Sequence, residues 1–501
     1  MQQNQTTDER TLERFGYRQE LRRTLGYFSS FALSFSIISV TTGLFANYGN
    51  GLRTAGPAFI WTWLIVGGGQ LLVALVFARL AREIPLSGYA YHWTRQLAGR
   101  RLAWWAGWMM IIQFLTGMPG VCYALANYLV PYLGIGFSNR NVVLVTVGVL
   151  VGIALINHYG IRLASLVNNI SVATEILGTI LIGLLLLVVA LWRRTNSFGF
   201  LFTHPAQPPG LGYLSAFAFS SLMSAWTLTG FEGAANVAEE THAPGRHVPR
   251  AIVLSEVYSV ILGFLVLVGF TLAVPSLDAV SRHPTPLLFI INQYFPPAVT
   301  HATMLPVFIS IFACALANLT TLTRMVWAMA RDGELPASGW LGRVSAHRVP
   351  ANAIWTVTLL SVLFVVWAKV EVVITGIATL AGVVTYALVV GATLRDSGFG
   401  RNGSGVSEQA SQRGAENQDL EIGCCKSQIE NLKSKIPGPR FKLLSVAALG
   451  WTLVLLPMLS LPRSAWRNSL ATLVAVAAGG LWYFWGRPDR KGGSSRPTLL
   501  Q

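Results

Sequence analysis

The chain has 501 residues, of which 53% are hydrophobic and only 12% are charged. Soluble globular proteins carry about 25% charged residues, so this composition excludes an ordinary soluble protein and predicts an integral membrane protein. The net charge of +16 does not indicate nucleic-acid binding, because the basic residues cluster between apolar stretches rather than in one patch.

Twelve apolar stretches are long enough to be membrane-spanning helices, which need about 20 residues. They cover residues 29–49, 56–78, 104–130, 140–157, 164–192, 212–238, 250–274, 298–327, 350–368, 371–394, 442–461 and 468–486. The fold class is therefore an all-α membrane protein. We divide the chain into an N-terminal tail (1–28), a core of ten spans (29–394), a loop (395–441), spans 11 and 12 (442–486) and a C-terminal tail (487–501).

Basic residues are distributed unevenly between the two sides of the membrane. With the N-terminus inside, 28 of the 37 Lys and Arg residues lie in inner segments and eight in outer loops, while Arg324 lies in the last turns of a span. Positive charge marks the cytoplasmic side, so both termini are predicted to be cytoplasmic, in the plasma membrane. The polar segment 395–441 is predicted to be a disordered cytoplasmic loop, with an insertion from a gene-model error as the alternative.

Two spans contain sequences that disfavour a continuous helix. Span 1 contains Ser39-Val-Thr-Thr-Gly43, a β-branched run that ends in glycine, and span 6 contains Trp226-Thr-Leu-Thr-Gly-Phe-Glu-Gly233. Broken helices at matching places in two halves are typical of inverted-repeat transporters. Spans 1–5 and 6–10 are thus predicted to form a five-plus-five inverted repeat, with helices 1 and 6 broken.

The two breaks predict a binding site for a small amine-bearing solute. A restarted half-helix presents N–H groups and a positive end to a carboxylate, and carbonyls released around Thr227–Gly230 can accept from an amine. The predicted substrate-binding residues are Thr41, Thr42, Gly43, Trp226, Thr229, Gly230 and Phe231. In span 8, Asn318, Thr320 and Thr321 either face the span-1 break or serve helix contacts.

Three acidic residues fall within the predicted spans: Glu175, Glu232 and Glu256. A carboxylate at membrane depth is costly when charged, so such residues are candidates for proton coupling. We assign proton coupling to Glu175 and gating of span 6 to Glu232. Glu256 is placed in the first turns of span 7 and is expected to be solvated or interfacial.

One outer segment and the cysteines complete the pattern. Segment 276–298 contains an apolar stretch that is either a short interfacial helix at the outer mouth or an ordinary loop. The four cysteines lack a C-x-x-C spacing, and no H-E-x-x-H or P-loop motif occurs, so no metal, cofactor, enzyme or primary pump is predicted.

Five motifs resemble the amino acid–polyamine–organocation (APC) superfamily of transporters, and the fungal and bacterial branch of amino-acid, GABA and choline permeases in particular. They are Ile84-Pro-Leu-Ser-Gly-Tyr-Ala-Tyr91, Thr229-Gly-Phe-Glu-Gly233, Ala238-Glu-Glu-Thr241, Pro249-Arg-Ala251 and Ala330-Arg-Asp-Gly-Glu-Leu-Pro336. The resemblance covers residues 20–394. It implies the five-plus-five fold, alternating access and proton coupling.

The resemblance also carries individual residues. Gly43 matches the substrate segment of span 1, Glu232 the acid of span 6, and Trp226 an aromatic that closes over substrate in arginine-type antiporters. At the position of Glu175 some relatives carry a Lys that takes the place of a sodium ion. Where many relatives have Glu-Leu-Ala, this chain departs from the pattern with Arg79-Leu-Ala.

Three functions are compatible with this sequence. The first is a secondary active transporter of amino acids or GABA, probed by uptake. The second is a choline or polyamine permease of the same fold, in which an aromatic cage would replace the carboxylate site. The third is a non-transporting nutrient sensor, which signals without substrate uptake.

Overall fold

The computed structural model describes residue 10 and residues 12–204, 212–368, 371–396, 438–460 and 466–485. The described chain is helical, and its only β-pairing is an isolated parallel bridge between Leu25 and Thr241. The predicted loop 395–441 lies almost entirely outside the described residues, as does the C-terminal tail.

We number the helices in chain order. They are α1 (Tyr27–Ile38), α2 (Val40–Ala55), α3 (Trp61–Glu83), α4 (Tyr89–Ala98), α5 (Arg100–Tyr132), α6 (Asn139–Tyr159), α7 (Ile161–Glu175), α8 (Leu181–Arg193), α9 (Gly212–Thr227), α10 (Gly233–Asn236), α11 (Pro244–Leu272), α12 (Leu277–Arg282), α13 (Pro286–Tyr294), α14 (Pro297–Arg331), α15 (Ser338–Leu341), α16 (Ala351–Ala368), α17 (Glu371–Asp396), α18 (Pro439–Ser460) and α19 (Trp466–Trp485).

Nine helical stretches among the described residues are long and apolar enough to cross a membrane. They are Tyr27–Ala55, Pro57–Glu83, Arg100–Tyr132, Asn139–Tyr159, Ile161–Arg193, Pro244–Leu272, Pro297–Arg331, Ile374–Arg395 and Pro439–Ser460. Each coincides with a predicted span. Predicted spans 9 and 12 correspond to the shorter apolar helices Ala351–Trp367 and Asn468–Leu481, and span 6 to the interrupted pair α9 and α10. The all-α membrane fold is confirmed, whereas the count of twelve spans stays a prediction.

Both predicted interruptions are present, but they differ in length. Helix α1 ends at Ile38, and Ser39 alone, with φ 32° and ψ 92°, separates it from α2. The Ser39 hydroxyl accepts from the Thr42 N–H at 3.2 Å, so the helix restarts at once and Thr41–Gly43 lie in its first turn. The second break covers residues 228–232, where Gly230 has φ +103°, a conformation that favours glycine.

The two breaks lie directly against each other. The Ser34 hydroxyl donates to the Phe231 carbonyl at 2.8 Å and accepts from the Ala234 N–H at 2.9 Å. A side chain at Gly43 would overlap Thr227, and one at Gly230 would overlap Ile37. Both glycines are therefore required by the close approach of the two interrupted spans.

The outer segment 276–298 forms two short helices, α12 and α13, which confirms the helical alternative for this stretch. Leu287, Ile290 and Ile291 are buried. Helix α13 packs on α2, where Pro286 would contact a side chain placed at Gly49. Together with the Arg53 guanidinium, which donates to the Ser281 carbonyl at 3.1 Å, these contacts fix the segment over the end of α2.

Candidate functional site between the interrupted helices

A narrow cavity of about 30 Å³ lies between the two helix breaks. Of the predicted substrate-binding residues, Thr42, Trp226, Thr229 and Gly230 line it. The other three predicted residues, Thr41, Gly43 and Phe231, do not line the cavity. The Gly43 backbone packs against Thr227, and the Phe231 ring is fully buried. The volume admits one or two water-sized molecules, so the site must widen before a solute can enter.

The cavity also contains two amide side chains. Gln113 on α5 is almost fully buried, and its Oε1 atom has no hydrogen-bond partner among the described residues. Asn318 on α14 lines the cavity too, and its Nδ2 donates to the Cys314 carbonyl at 2.8 Å. Asn318 was one of three span-8 candidates, whereas Gln113 was missed. Its only sequence signal is an amide side chain in the middle of an apolar span.

Of the other two span-8 candidates, Thr320 forms a contact between helices, and the Thr321 hydroxyl has no hydrogen-bond partner among the described residues. The Thr320 hydroxyl donates to the Asn157 side-chain oxygen at 2.8 Å, which ties α14 to α6. The Thr321 hydroxyl is buried and has no partner among the described residues. Neither residue lines the cavity.

The N-terminus of α2, predicted to hold a substrate carboxylate, is occupied by the protein's own groups. The Thr41 N–H donates to the Glu175 carboxylate at 3.0 Å, the Thr42 N–H to the Ser39 hydroxyl, and the Gly43 N–H to the Ser39 carbonyl at 3.1 Å. The Ser310 hydroxyl also donates to Glu175, at 3.3 Å. The Glu175 carboxyl, from the end of α7, thus lies at the positive end of the restarted half-helix, where a substrate carboxylate was predicted.

Glu232 is enclosed at the break of span 6. Its carboxylate accepts from the Tyr386 hydroxyl at 2.7 Å, the Tyr89 hydroxyl at 3.1 Å and the Gly230 N–H at 3.2 Å. The ring of Phe77 packs against both tyrosines, with centroid distances of 5.2–5.4 Å. Glu232 therefore joins the break to α4 and α17, and its role in gating stays a prediction.

The expectation that Glu256 is solvated or interfacial is wrong. Glu256 is fully buried, and neither of its carboxyl oxygens has a hydrogen-bond partner among the described residues. The error lies in the helix start: α11 begins at Pro244, six residues before the predicted span. Glu256 consequently lies three turns inside the helix rather than near its end.

Residues 12–25 fold back onto the helix ends at one end of the bundle. We call this segment the N-terminal latch. The Tyr17 hydroxyl donates to Asp332 at 2.9 Å and lies 3.4 Å from His92 Nδ1. Arg331 places its guanidinium 4.1 Å from the centroid of the Tyr17 ring. Arg95 forms an ion pair with Asp332 beneath it. The latch therefore holds α4 and the end of α14 together.

Three of the motifs noted in the sequence meet under this latch. Ser87 and Glu239 bond reciprocally, each backbone N–H donating to the other side chain at 3.2 Å, and Arg331 pairs with Glu239 at 3.1 Å. Next to them Arg324 and Glu240 form an ion pair at 2.8 Å with both side chains fully buried. The motifs thus share one structural role, which is to close this end of the bundle.

Burial determines the charge state of His92 in this cluster. The imidazole is fully buried, and this burial, reinforced by the positive charges of Arg331 and Arg95, holds the pKa of His92 well below its usual value. His92 is therefore neutral while the latch is in place. Within the described residues, no group of three or more His, Cys, Asp or Glu side chains could hold a metal ion.

Comparison with known proteins places these features in a family. Residues 25–395 match the family model for amino acid permeases. The chain is 30% identical over 378 residues to the amino-acid permease BAT1 of Arabidopsis thaliana, covering 70% of this chain and 73% of that protein. It is 30% identical to the BAT1 homolog of rice (75% and 78% covered), and 26% identical to the branched-chain amino acid permease BcaP of Bacillus subtilis (67% and 73% covered).

Proposed function

The chain belongs to the amino acid permease family, and we propose that it is a secondary active transporter that moves amino acids or GABA, coupled to protons, by alternating access. Amino acid transport follows from the family. The observation that supports the proposed site is the cavity between the two interrupted helices, where Thr42, Thr229 and Gly230 meet the unpartnered Gln113 oxygen. The charged amine of an amino acid is the donor that this oxygen lacks.

The substrate carboxylate binds, in this proposal, where Glu175 binds now. The positive end of α2 holds one anion well, and Glu175 accepts the Thr41 N–H in the conformation described. Protonation of Glu175 removes its charge and weakens that hydrogen bond, because bonds to ionised acceptors are the stronger ones. The N–H groups of Thr41 and its neighbours then turn to the substrate. Proton and amino acid consequently bind together, which is the basis of symport.

The other predicted residues have supporting roles in this mechanism. Trp226 is partly exposed at the cavity wall and closes over the substrate, with the Trp226 carbonyl held by the Thr229 hydroxyl at 2.7 Å. Glu232 links the break of span 6 to Tyr89 and Tyr386, so movement of α9 and α10 is transmitted to α4 and α17. Because the cavity is too small for an amino acid, it has to widen before the substrate binds, and in this proposal it widens when the two breaks separate.

The proposed topology has twelve spans, with both termini in the cytoplasm and the protein in the plasma membrane. The distribution of basic residues supports this orientation. It places the N-terminal latch on the cytoplasmic side, where Arg331 and Asp332 close the inner end of α14. Spans 1–5 and 6–10 are then inverted repeats, and the contact between the breaks at Ser39 and Gly230 lies where the repeats meet.

A substrate panel in proteoliposomes tests this proposal. We expect saturable uptake of amino acids or GABA that increases when the outside is made acidic. Choline is expected to compete poorly, because it has no carboxylate for the positive end of α2. Uptake of choline in preference to amino acids and GABA would overturn the substrate assignment. Amino acid uptake that ignores the proton gradient would overturn the coupling.

A further inference from the structure

Three buried polar side chains without partners occur together at the contact between α3 and α11. Within the part of the chain that the structure describes, Gln70 lacks hydrogen-bond partners for both its amide oxygen and its amide nitrogen, Glu256 for both carboxyl oxygens and Ser259 for its hydroxyl. All three are fully buried. Native proteins satisfy the large majority of buried polar groups, so a cluster of orphaned atoms requires an explanation.

The packing of the two helices places these residues opposite one another. The Trp63 indole donates to the Val260 carbonyl at 3.0 Å, and a side chain at Gly67 would contact Val260. The helices run antiparallel, so the next turn of α3 brings Gln70 level with Glu256. Ser259 lies one turn from Glu256 on the same face of α11.

Among the described residues, no Lys, Arg or His side chain forms an ion pair or hydrogen bond with Glu256. The group near enough for its charge to interact with Glu256 is another carboxyl, Glu232. Arg324 and Arg331 are engaged by Glu240 and Glu239. On α3 the facing group is the neutral Gln70. An ionised carboxylate with no donor, no counter-ion and a like charge beside it is among the costliest groups to bury, and the neutral acid avoids most of that cost.

We propose that Glu256 is a proton-binding site of the transport cycle, which keeps its proton while α3 and α11 are packed together and exchanges it with water that enters beside Gln70 and Ser259 when the two helices move apart. The proton passes between water and a carboxyl oxygen of Glu256, and no other bond changes. This inference rests on the proposed proton-coupled transport and adds a site distinct from Glu175. Glu175 differs because donors from Thr41 and Ser310 already satisfy it.

Infrared difference spectroscopy tests the protonation without any reference to transport. The detergent-purified protein is expected to show the carbonyl stretch of a protonated carboxylic acid, shifted in heavy water. The Glu256→Gln variant is expected to lose that component, and Glu83→Gln to keep it. Glu83 is the matched control, because it lies at the end of α3 beside Arg79 and outside the cluster. A spectrum that Glu256→Gln leaves unchanged would overturn the protonation.

Steady-state accumulation tests whether this proton is transported. In proteoliposomes with the membrane potential clamped at zero and a pH gradient of about one unit, each coupled proton multiplies the accumulation ratio by about ten. Glu256→Gln is expected to lower the ratio of the labelled amino acid by about tenfold while exchange under equal pH persists, and Glu83→Gln to leave it unchanged. An unaltered ratio in Glu256→Gln would overturn the coupling role.

Two further outcomes separate this inference from the proposed function. If the wild-type protein exchanges no amino acid, the proposed function fails, and the infrared result stands on its own. If accumulation instead follows a sodium gradient and Glu256→Gln abolishes it, the cluster binds a metal cation and the proton assignment is overturned.

Discussion

Acidification should release the N-terminal latch, and His92 is the residue responsible. His92 is fully buried beneath Tyr17, and burial together with the charges of Arg331 and Arg95 holds its pKa well below the usual value of 6.5. When the latch detaches, water reaches the imidazole, the burial is relieved, and the pKa of His92 rises towards its usual value of about 6.5. The detached form then binds a proton that the closed form does not.

The sign and size of the effect follow from this difference. Above pH about 6.5 both forms are neutral at His92, and the latch keeps its full stability. Below that value, down to the lowered pKa of the closed form, each pH unit weakens the latch by about 1.4 kcal/mol, a tenfold change in the ratio of closed to detached molecules. Asp332, Arg95 and Arg331 also face this site, so a variant of His92 is needed to isolate its contribution.

Hydrogen–deuterium exchange of residues 12–25 measures the latch directly. After correction for the intrinsic pH dependence of exchange, protection is expected to fall steeply between pH about 6.5 and about 5. The His92→Gln variant keeps a neutral polar side chain and is expected to remove most of that slope. Protection that does not change with pH, or that falls equally in His92→Gln, would refute this reasoning.

Three other predictions follow from the site and the closed end of the bundle. Glu175→Gln should retain amino acid exchange but lower the accumulation ratio at a pH gradient of about one unit by about tenfold, since the proton at Glu256 remains coupled; undiminished accumulation would exclude Glu175. Gly43→Ala should reduce substrate binding, because the added methyl group overlaps Thr227. The double variant Gly43→Ala with Thr227→Gly should recover part of the lost binding. Equal binding in the wild type, the single variant and the double variant would show that this contact is unimportant. Arg324→Gln leaves Glu240 buried without its partner and should lower the free energy of unfolding by about 3–5 kcal/mol in a denaturation assay. The double variant Arg324→Met with Glu240→Leu should recover most of that loss. An Arg324→Gln variant as stable as the wild type would contradict the burial of this ion pair.

The helices and the second break were predictable because their causes are local. Apolar length marks a span, and the break of span 6 is marked by Gly230, whose φ of +103° few other residues adopt. The break of span 1 was located only to within residues 39–43. It falls on Ser39, a residue without the signature of a left-handed conformation, and capping of Thr42 restarts the helix at once.

The position of Glu256 and the N-terminal latch were not predictable from the sequence, for different reasons. The sequence before Ala251 is polar and contains Pro244 and Pro249. Hydropathy therefore places the start of span 7 six residues too late, and Glu256 falls in the first turns of the predicted span. The N-terminal latch has no local signal either. Tyr17 finds Asp332 across 315 positions of the chain, a pairing that no periodicity reveals.

The cavity between the two breaks was predictable as a region but not as a set of contacts. Four of its seven predicted residues line the cavity, because the two breaks do face each other. Glu175 was assigned to coupling without any indication that it occupies the end of α2, where the substrate carboxylate was expected. Only the packing of α7 against the first break reveals that competition.

Amino acid counterflow in proteoliposomes, which needs no proton gradient, tests the central claim most directly. The wild-type protein is expected to exchange a labelled amino acid saturably, and Gln113→Leu to weaken its apparent affinity by about tenfold or more, since a hydrogen bond to a charged group contributes about 1.5–3 kcal/mol. Saturable exchange with an unchanged affinity in Gln113→Leu would contradict a substrate site between the two interrupted helices.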